Sequence, residues 1–173
     1  LPPGYATSAL RYPVVYLLHG GGGDQADAVT YGRIQLVMDG LIAQDRGRAA
    51  IVVMPDGANG QWYDSVNGDL RNEEYVTKWV VPFIDRTYPV QDRCRLLLGF
   101  SKSGWGAFSL LLRHPDVFSK AAAWDAPLMM ARPDRFGMGD VFATRENFER
   151  YRITKLMEER AGCLLYTSDA ADD

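Results

Sequence analysis

Histidine and cysteine are scarce in this chain, with two of each among 173 residues. Cys94 lies inside an apolar run and Cys163 near the end. Two cysteines are too few for a disulfide framework, and they lack the paired spacing of a zinc site. No apolar stretch approaches the roughly 20 residues that a membrane-spanning helix needs. No charged segment followed by a short apolar one, of the kind that directs export, opens the sequence. Because residue 1 is leucine, a leader can precede it, and the compartment is left open. Blocks of like charge are also missing: 19 Lys and Arg stand against 22 Asp and Glu, a net charge of -3 spread along the chain. Neither nucleic acid nor an anionic membrane is therefore an expected partner.

What is present is an ordinary globular composition, 47% hydrophobic and 24% charged, in a length that suits one water-soluble domain with a sizeable core. After the breaker cluster Pro2-Pro3-Gly4, the run Pro13 to Leu18 reads as a buried strand that stops at His19-Gly20-Gly21-Gly22-Gly23-Asp24. From Ala26 to about Gln44, Val29, Ile34, Val37, Met38, Leu41 and Ile42 recur at helical spacing and predict one helix with an apolar face. A second strand is predicted over Ala49 to Met54, then an irregular loop rich in Gly, Asn and Asp around Trp62 and Tyr63. Asn72 is the expected cap of a helix from Glu73 to about Arg86, with Pro82 as a kink. A third strand, Arg95 to Gly99, runs into Phe100-Ser101-Lys102-Ser103-Gly104 and a helix to about Arg113. A fourth apolar run, Ser119 to Trp124, ends at Asp125, and a charged helix is predicted from about Glu146 to Glu159. Alternating buried strands and helices predict a parallel sheet with helices on both faces, and no internal repeat is present.

The chemistry-bearing feature is Gly99-Phe100-Ser101-Lys102-Ser103-Gly104 at the turn from strand to helix, which has the form of a nucleophile elbow. Such a turn holds its serine in a strained conformation with the hydroxyl clear of the sheet, and needs small residues two before and two after it. Gly99 meets that need. Ser103 stands where the G-x-S-x-G pattern has glycine, so an extra hydroxymethyl group must be housed, with Gly104 and Gly106 relieving the crowding. The competing reading is a plain glycine-containing connection. The run His19 to Gly23, about eighty residues upstream after the first strand, supports the elbow, because a hydrolase of this type places its oxyanion loop there. A phosphate loop is the rival for Gly20 to Gly23, but no lysine followed by Ser or Thr accompanies it, and no G-x-G-x-x-G is present.

Taken in order, LPPGY, YPVVYLLHGGGGD, IVVMPDG, WYDS, Glu74-Tyr75 and GFSKSGWGAFSLLLRHPDVF resemble the esterase D-like group of α/β-hydrolases, which includes feruloyl and acetyl-xylan esterases, S-formylglutathione hydrolases and mycolyltransferases. The resemblance covers roughly Leu1 to Gly162. It implies an α/β-hydrolase fold, incomplete at both ends, with Ser101 as nucleophile and Gly20, Gly21 and Lys102 supplying the oxyanion hole. It makes Trp62, Tyr63 and Trp105 candidate walls for an apolar acyl group, with simple core as the alternative for each. Asp125, at a strand end, is a candidate pocket residue or a buried or capping aspartate. Small or sugar-linked acyl esters are the implied substrates, and no metal or organic cofactor is implied.

The same resemblance requires an acid and a histidine after the serine, in that order. The only later histidine, His114, follows thirteen residues of mostly helix, which puts it roughly 15–20 Å from Ser101 and excludes it as base. His19 is expected to structure its loop. The ending Cys163-Leu-Leu-Tyr-Thr-Ser-Asp-Ala-Ala-Asp-Asp breaks with everything before it and resembles translated adapter read-through. The expectation is therefore a partial domain over 1–162 with a non-native tail over 163–173, in which the acid and histidine are cut away. An active serine esterase as parent, a near-inactive fragment, and poor solubility from an uncovered edge strand follow. Two alternatives stand beside this reading: a non-catalytic binding domain on the same fold, and an acyltransferase of the mycolyltransferase type.

Overall fold

A computed structural model describes residues 1–58, 62–135 and 138–164, with side chains as far as Arg160. The expected tail over 163–173 lies almost wholly outside the described residues. Strands β1 (Tyr12–Leu18), β2 (Ile51–Val53), β3 (Val90–Phe100) and β4 (Lys120–Trp124) form one sheet in the order β2-β1-β3-β4. Every pair in it is parallel, as the alternation of strands and helices predicts. β3 is longer than its apolar run, because Val90 pairs with Tyr12 across an irregularity near left-handed Arg93 before the regular register Val14 with Arg95 begins.

The two faces of this sheet differ. Tyr12, Val14, Tyr16, Leu18 and Leu97 point to one side and are buried against Ala107 and Leu110 of the helix α5 (Lys102–Arg113), with Val76, Val81 and Ile84 completing that core. The far side of α5 carries a second apolar cluster, in which Trp105, Leu112 and Tyr63 pack with Met138, Phe142, Phe148, Tyr151, Ile153 and Leu156. These last residues come from the short helices Met138–Phe142 and Arg145–Glu149 and from Ile153–Leu164, except Tyr151, which lies in the turn between the last two. α5 thus lies between the sheet and a helical layer, which is why eight of its twelve residues are buried.

On the opposite face the expected single helix over 26–44 is replaced by two, Asp27–Thr30 and Ile34–Ala43, separated at Arg33 with φ 45. Neither buries a residue, and Val29, Leu36 and Val37 are half or more exposed. An apolar stripe is buried only where a surface comes to meet it, and a cavity of about 370 Å³ separates the second of these helices from Leu17, Leu98, Phe100 and Trp124 of the sheet.

Two further corrections concern the predicted helix at 73–86. Its N-terminus is capped by Asp64, whose Oδ1 accepts from the backbone N–H of Glu73 and Glu74, while Asn72 donates its side-chain amide to Gly57 O at 2.6 Å. Pro82 stands where the helix changes type. The chain widens into a π-helix over Tyr75–Val80 and resumes as α-helix over Val81–Thr87, so proline stands in a first turn, where its missing N–H is harmless.

That helix carries an ion cluster that ties it to α5. The buried carboxylate of Glu73 accepts from Arg113 Nε at 2.8 Å and lies 2.6 Å from His114 Nε2, and the Arg113 guanidinium stacks 4.1 Å over the ring of Tyr151. Burial alone would raise the Glu73 pKa, but hydrogen bonds from His114 and Arg113, together with the Arg113 charge, outweigh it and hold the group at about 2. Since its ordinary value is 4.5, the pairing stabilises the fold fully above that pH, and the contribution is lost as pH falls from 4.5 towards 2. Glu73→Gln, which leaves Arg113 without a counter-charge, is expected to cost on the order of 3 kcal/mol at pH 7 and to flatten the pH dependence of stability across that acid window. Urea titrations of both forms at pH 7 and pH 3 measure this, and equal midpoints at pH 7 would exclude it.

Candidate active site

Ser101 sits where β3 passes into α5, with φ 56 and ψ -124. A non-glycine residue at positive φ costs of order 1–3 kcal/mol and persists only where its surroundings enforce it. Here they do: Ser101 N–H donates to Trp124 O on the neighbouring strand, and Ser101 O accepts from the N–H groups of Gly104 and Trp105. A Cβ on Gly99 would overlap the backbone of Ser103 and Gly104, so strand and helix close up only because Gly99 has none. Although Ser101 occupies the N-cap position, its side chain makes no cap hydrogen bond. The hydroxyl that usually satisfies a helix start is not spent on it. Lys102 is the first helical residue, where an N–H has no intrahelical partner. Burial lowers the pKa of its ammonium group.

The glycine loop lies against this turn. A Cβ built on Gly20 would stand 3.3 Å from Phe100 O and 3.9 Å from Ser101 Cβ. Gly21 is exposed at the following turn. His19 fixes the loop from beneath. Its Nε2 accepts from Gly57 N–H at 2.9 Å, which leaves the proton on Nδ1, 3.0 Å from Gly20 O. The Asp56 carboxylate stands farther from the ring, 3.5 Å from Nε2. Trp62 donates its indole N–H to His19 O and packs edge-on against the imidazole at 5.3 Å.

Several residues singled out in the sequence take other roles. Trp62, Tyr63 and Trp105 are 1%, 1% and 0% exposed, so none lines a substrate surface. Trp62 supports the glycine loop, while Tyr63 and Trp105 fill the second core, 5.7 Å apart. Their size and apolar area draw them into the layer that the C-terminal helices close. Asp125 is exposed at the end of β4, with φ 48, and is not a buried aspartate. His114 is held by Glu73 at the opposite end of α5 from Ser101. Among the described residues no group of three metal-ligating side chains occurs, and no helix is long and apolar enough to cross a membrane.

Sequence reasoning passed over the exposed aromatics beside the serine. Phe100 and Trp124, the last residues of β3 and β4, are 42% and 50% exposed and lie 5.5 Å apart. Both line the 370 Å³ cavity, which also touches Gly20. Their signal was parity: each falls on the alternate residues of its strand that face away from α5.

The sequence profile of the Esterase family matches residues 1–161. Esterase Rv1288 of Mycobacterium tuberculosis (strain ATCC 25618 / H37Rv) is 34% identical over 139 residues, which cover 76% of this chain and 29% of that protein. The endo-1,4-beta-xylanase/feruloyl esterase of Xylanibacter ruminicola is 32% identical over 113 residues, 62% of this chain and 16% of that protein. A solved ferulic acid esterase superposes with a TM-score of 0.77 at 26% identity, covering 92% of this chain and 63% of its own. This chain thus spans under a third of either curated relative and about two thirds of the solved one. With the parallel sheet, the strained serine turn and the apposed glycine loop, these matches place the chain in the Esterase family, on the α/β-hydrolase fold.

Proposed function

We infer that the protein to which these residues belong is a serine carboxylic-ester hydrolase. Ser101, at φ 56 with its hydroxyl released from capping and Gly20 beside it, is the observation that carries this reading. Ser101 Oγ attacks the acyl carbonyl carbon as its proton passes to a base. The carbonyl π electrons move to oxygen, the alcohol leaves with a proton, and water then releases the acid from the acyl-enzyme. The backbone N–H of Lys102, reinforced by the positive end of twelve-residue α5, holds the oxyanion together with an N–H of the Gly20-Gly21 turn.

His19 orients that second donor. By holding Gly20 O it turns the Gly20-Gly21 peptide, and because the peptide is trans and planar, Gly21 N–H points away from His19. With His19 tied to Gly57 and His114 to Glu73, both histidines of the chain are engaged elsewhere. The base and its acid therefore come from sequence outside these 173 residues, and this chain by itself is nearly inactive. The acyl group occupies the cavity walled by Phe100, Trp124, Leu98 and Ile34, whose 370 Å³ suits a small ligand. An aromatic acyl group on a sugar fits that wall, in keeping with the feruloyl and ferulic acid esterases among the similar proteins.

In the full-length gene product, hydrolysis of methyl ferulate and p-nitrophenyl acetate should fall by about 10⁴–10⁶-fold in Ser101→Ala, and a fluorophosphonate should label the parent but not the variant. An unlabelled parent, or a downstream sequence without histidine, would sink the reading. His19→Ala should lower kcat by about tenfold or more. It should also cost about 1–3 kcal/mol in urea unfolding, because Gly57 N–H is left buried without a partner. Unchanged kcat in that variant would show that His19 does not set the oxyanion loop.

A further inference from the structure

Ser103 departs from the small residue that the elbow pattern calls for, and it is wholly buried. Its hydroxyl is not merely housed. Oγ accepts from Phe100 N–H at 2.8 Å and donates to Leu18 O at 2.7 Å, with Phe100 O also within 2.8 Å. Phe100 immediately precedes Ser101, and Leu18 immediately precedes His19 and Gly20. Leu18 is paired with Gly99 as the last register position of β1 on β3. In a parallel ladder that pairing runs from Phe100 N–H to Leu18 O. The Ser103 hydroxyl, at once donor and acceptor, bonds to both ends of that rung.

We propose that Ser103 is a positioning residue: its hydroxyl braces the final rung between β3 and β1 and thereby sets the separation of the Ser101 nucleophile from the oxyanion loop. An alanine would remove the brace and leave the two strand ends free to shift against each other. Oxyanion donors act on charge that develops in the transition state, so a change in this spacing alters kcat while substrate affinity is held by the acyl wall. The proposal rests on Ser101 being the nucleophile.

The test uses the full-length protein with Ser103→Ala, the conservative Ser103→Thr, and Ser101→Ala as control. With active sites counted by fluorophosphonate titration, Ser103→Ala should lower kcat on p-nitrophenyl acetate by about 10- to 100-fold. KM should move little, the phosphonylation rate should fall in parallel, and Ser103→Thr should restore most of it. A variant that loses melting temperature but keeps kcat and phosphonylation rate per active site would overturn the proposal and reduce Ser103 to a helix cap. A parent inactive from the outset, or one indifferent to Ser101→Ala, would overturn the esterase reading and this proposal together. Should Ser103→Ala not fold, amide exchange of Phe100 in the unsubstituted protein decides. Protection equal to that of the core β3 amides is expected, and rapid exchange would refute a bonded, braced rung at this position.

Discussion

The close approach of β3 to the start of α5 is the constraint on which the rest of this molecule depends. A parallel strand entering a helix without an intervening loop must reverse its backbone within one residue, and Ser101 is that residue, held at positive φ by bonds from both of its neighbours in the fold. Gly99 lets the helix descend onto the strand. Once it has descended, Ala107 and Leu110 reach the sheet core while Trp105 and Leu112 face the helical layer. The strain of a single residue is thus spread over two apolar clusters.

Polar groups buried near this turn are shared between elements rather than left to solvent. His19 joins the glycine loop to Gly57, Trp62 adds its indole to the same loop, and Ser103 joins the elbow to β1. Each is a short side chain bonded to backbone, which fixes position more tightly than a pair of long charged side chains. The ionic pairing of Glu73 with Arg113 and His114 lies at the other end of α5, where it anchors the helix without placing charge beside the serine.

Legibility followed physical scale. Strand runs were plain because a strand covered on both faces is apolar throughout, and the elbow was plain because local backbone geometry restricts residue type two places either side of Ser101. The split of the 26–44 helix and the widening ahead of Pro82 were hidden, since both depend on what the segment packs against. Aromatic residues misled for the same reason: Trp62, Tyr63 and Trp105 have a composition that suits a pocket wall or a core, and only tertiary packing decides between them, through the glycine loop for Trp62 and the helical layer over α5 for the other two.

By itself the sequence determined the order of strands and helices, the strained serine at residue 101 and the glycine loop at residues 20 to 23, because each is encoded in adjacent residues. It determined also that His114 falls at the far end of the helix from Ser101, because helix rise separates the two. Only the tertiary structure decided that Asp64 caps the helix expected of Asn72, that Phe100 and Trp124 are the aromatics beside Ser101, and that Ser103 bonds across to Leu18. Those contacts join residues far apart in the chain, and their energies depend on distances that no local pattern specifies.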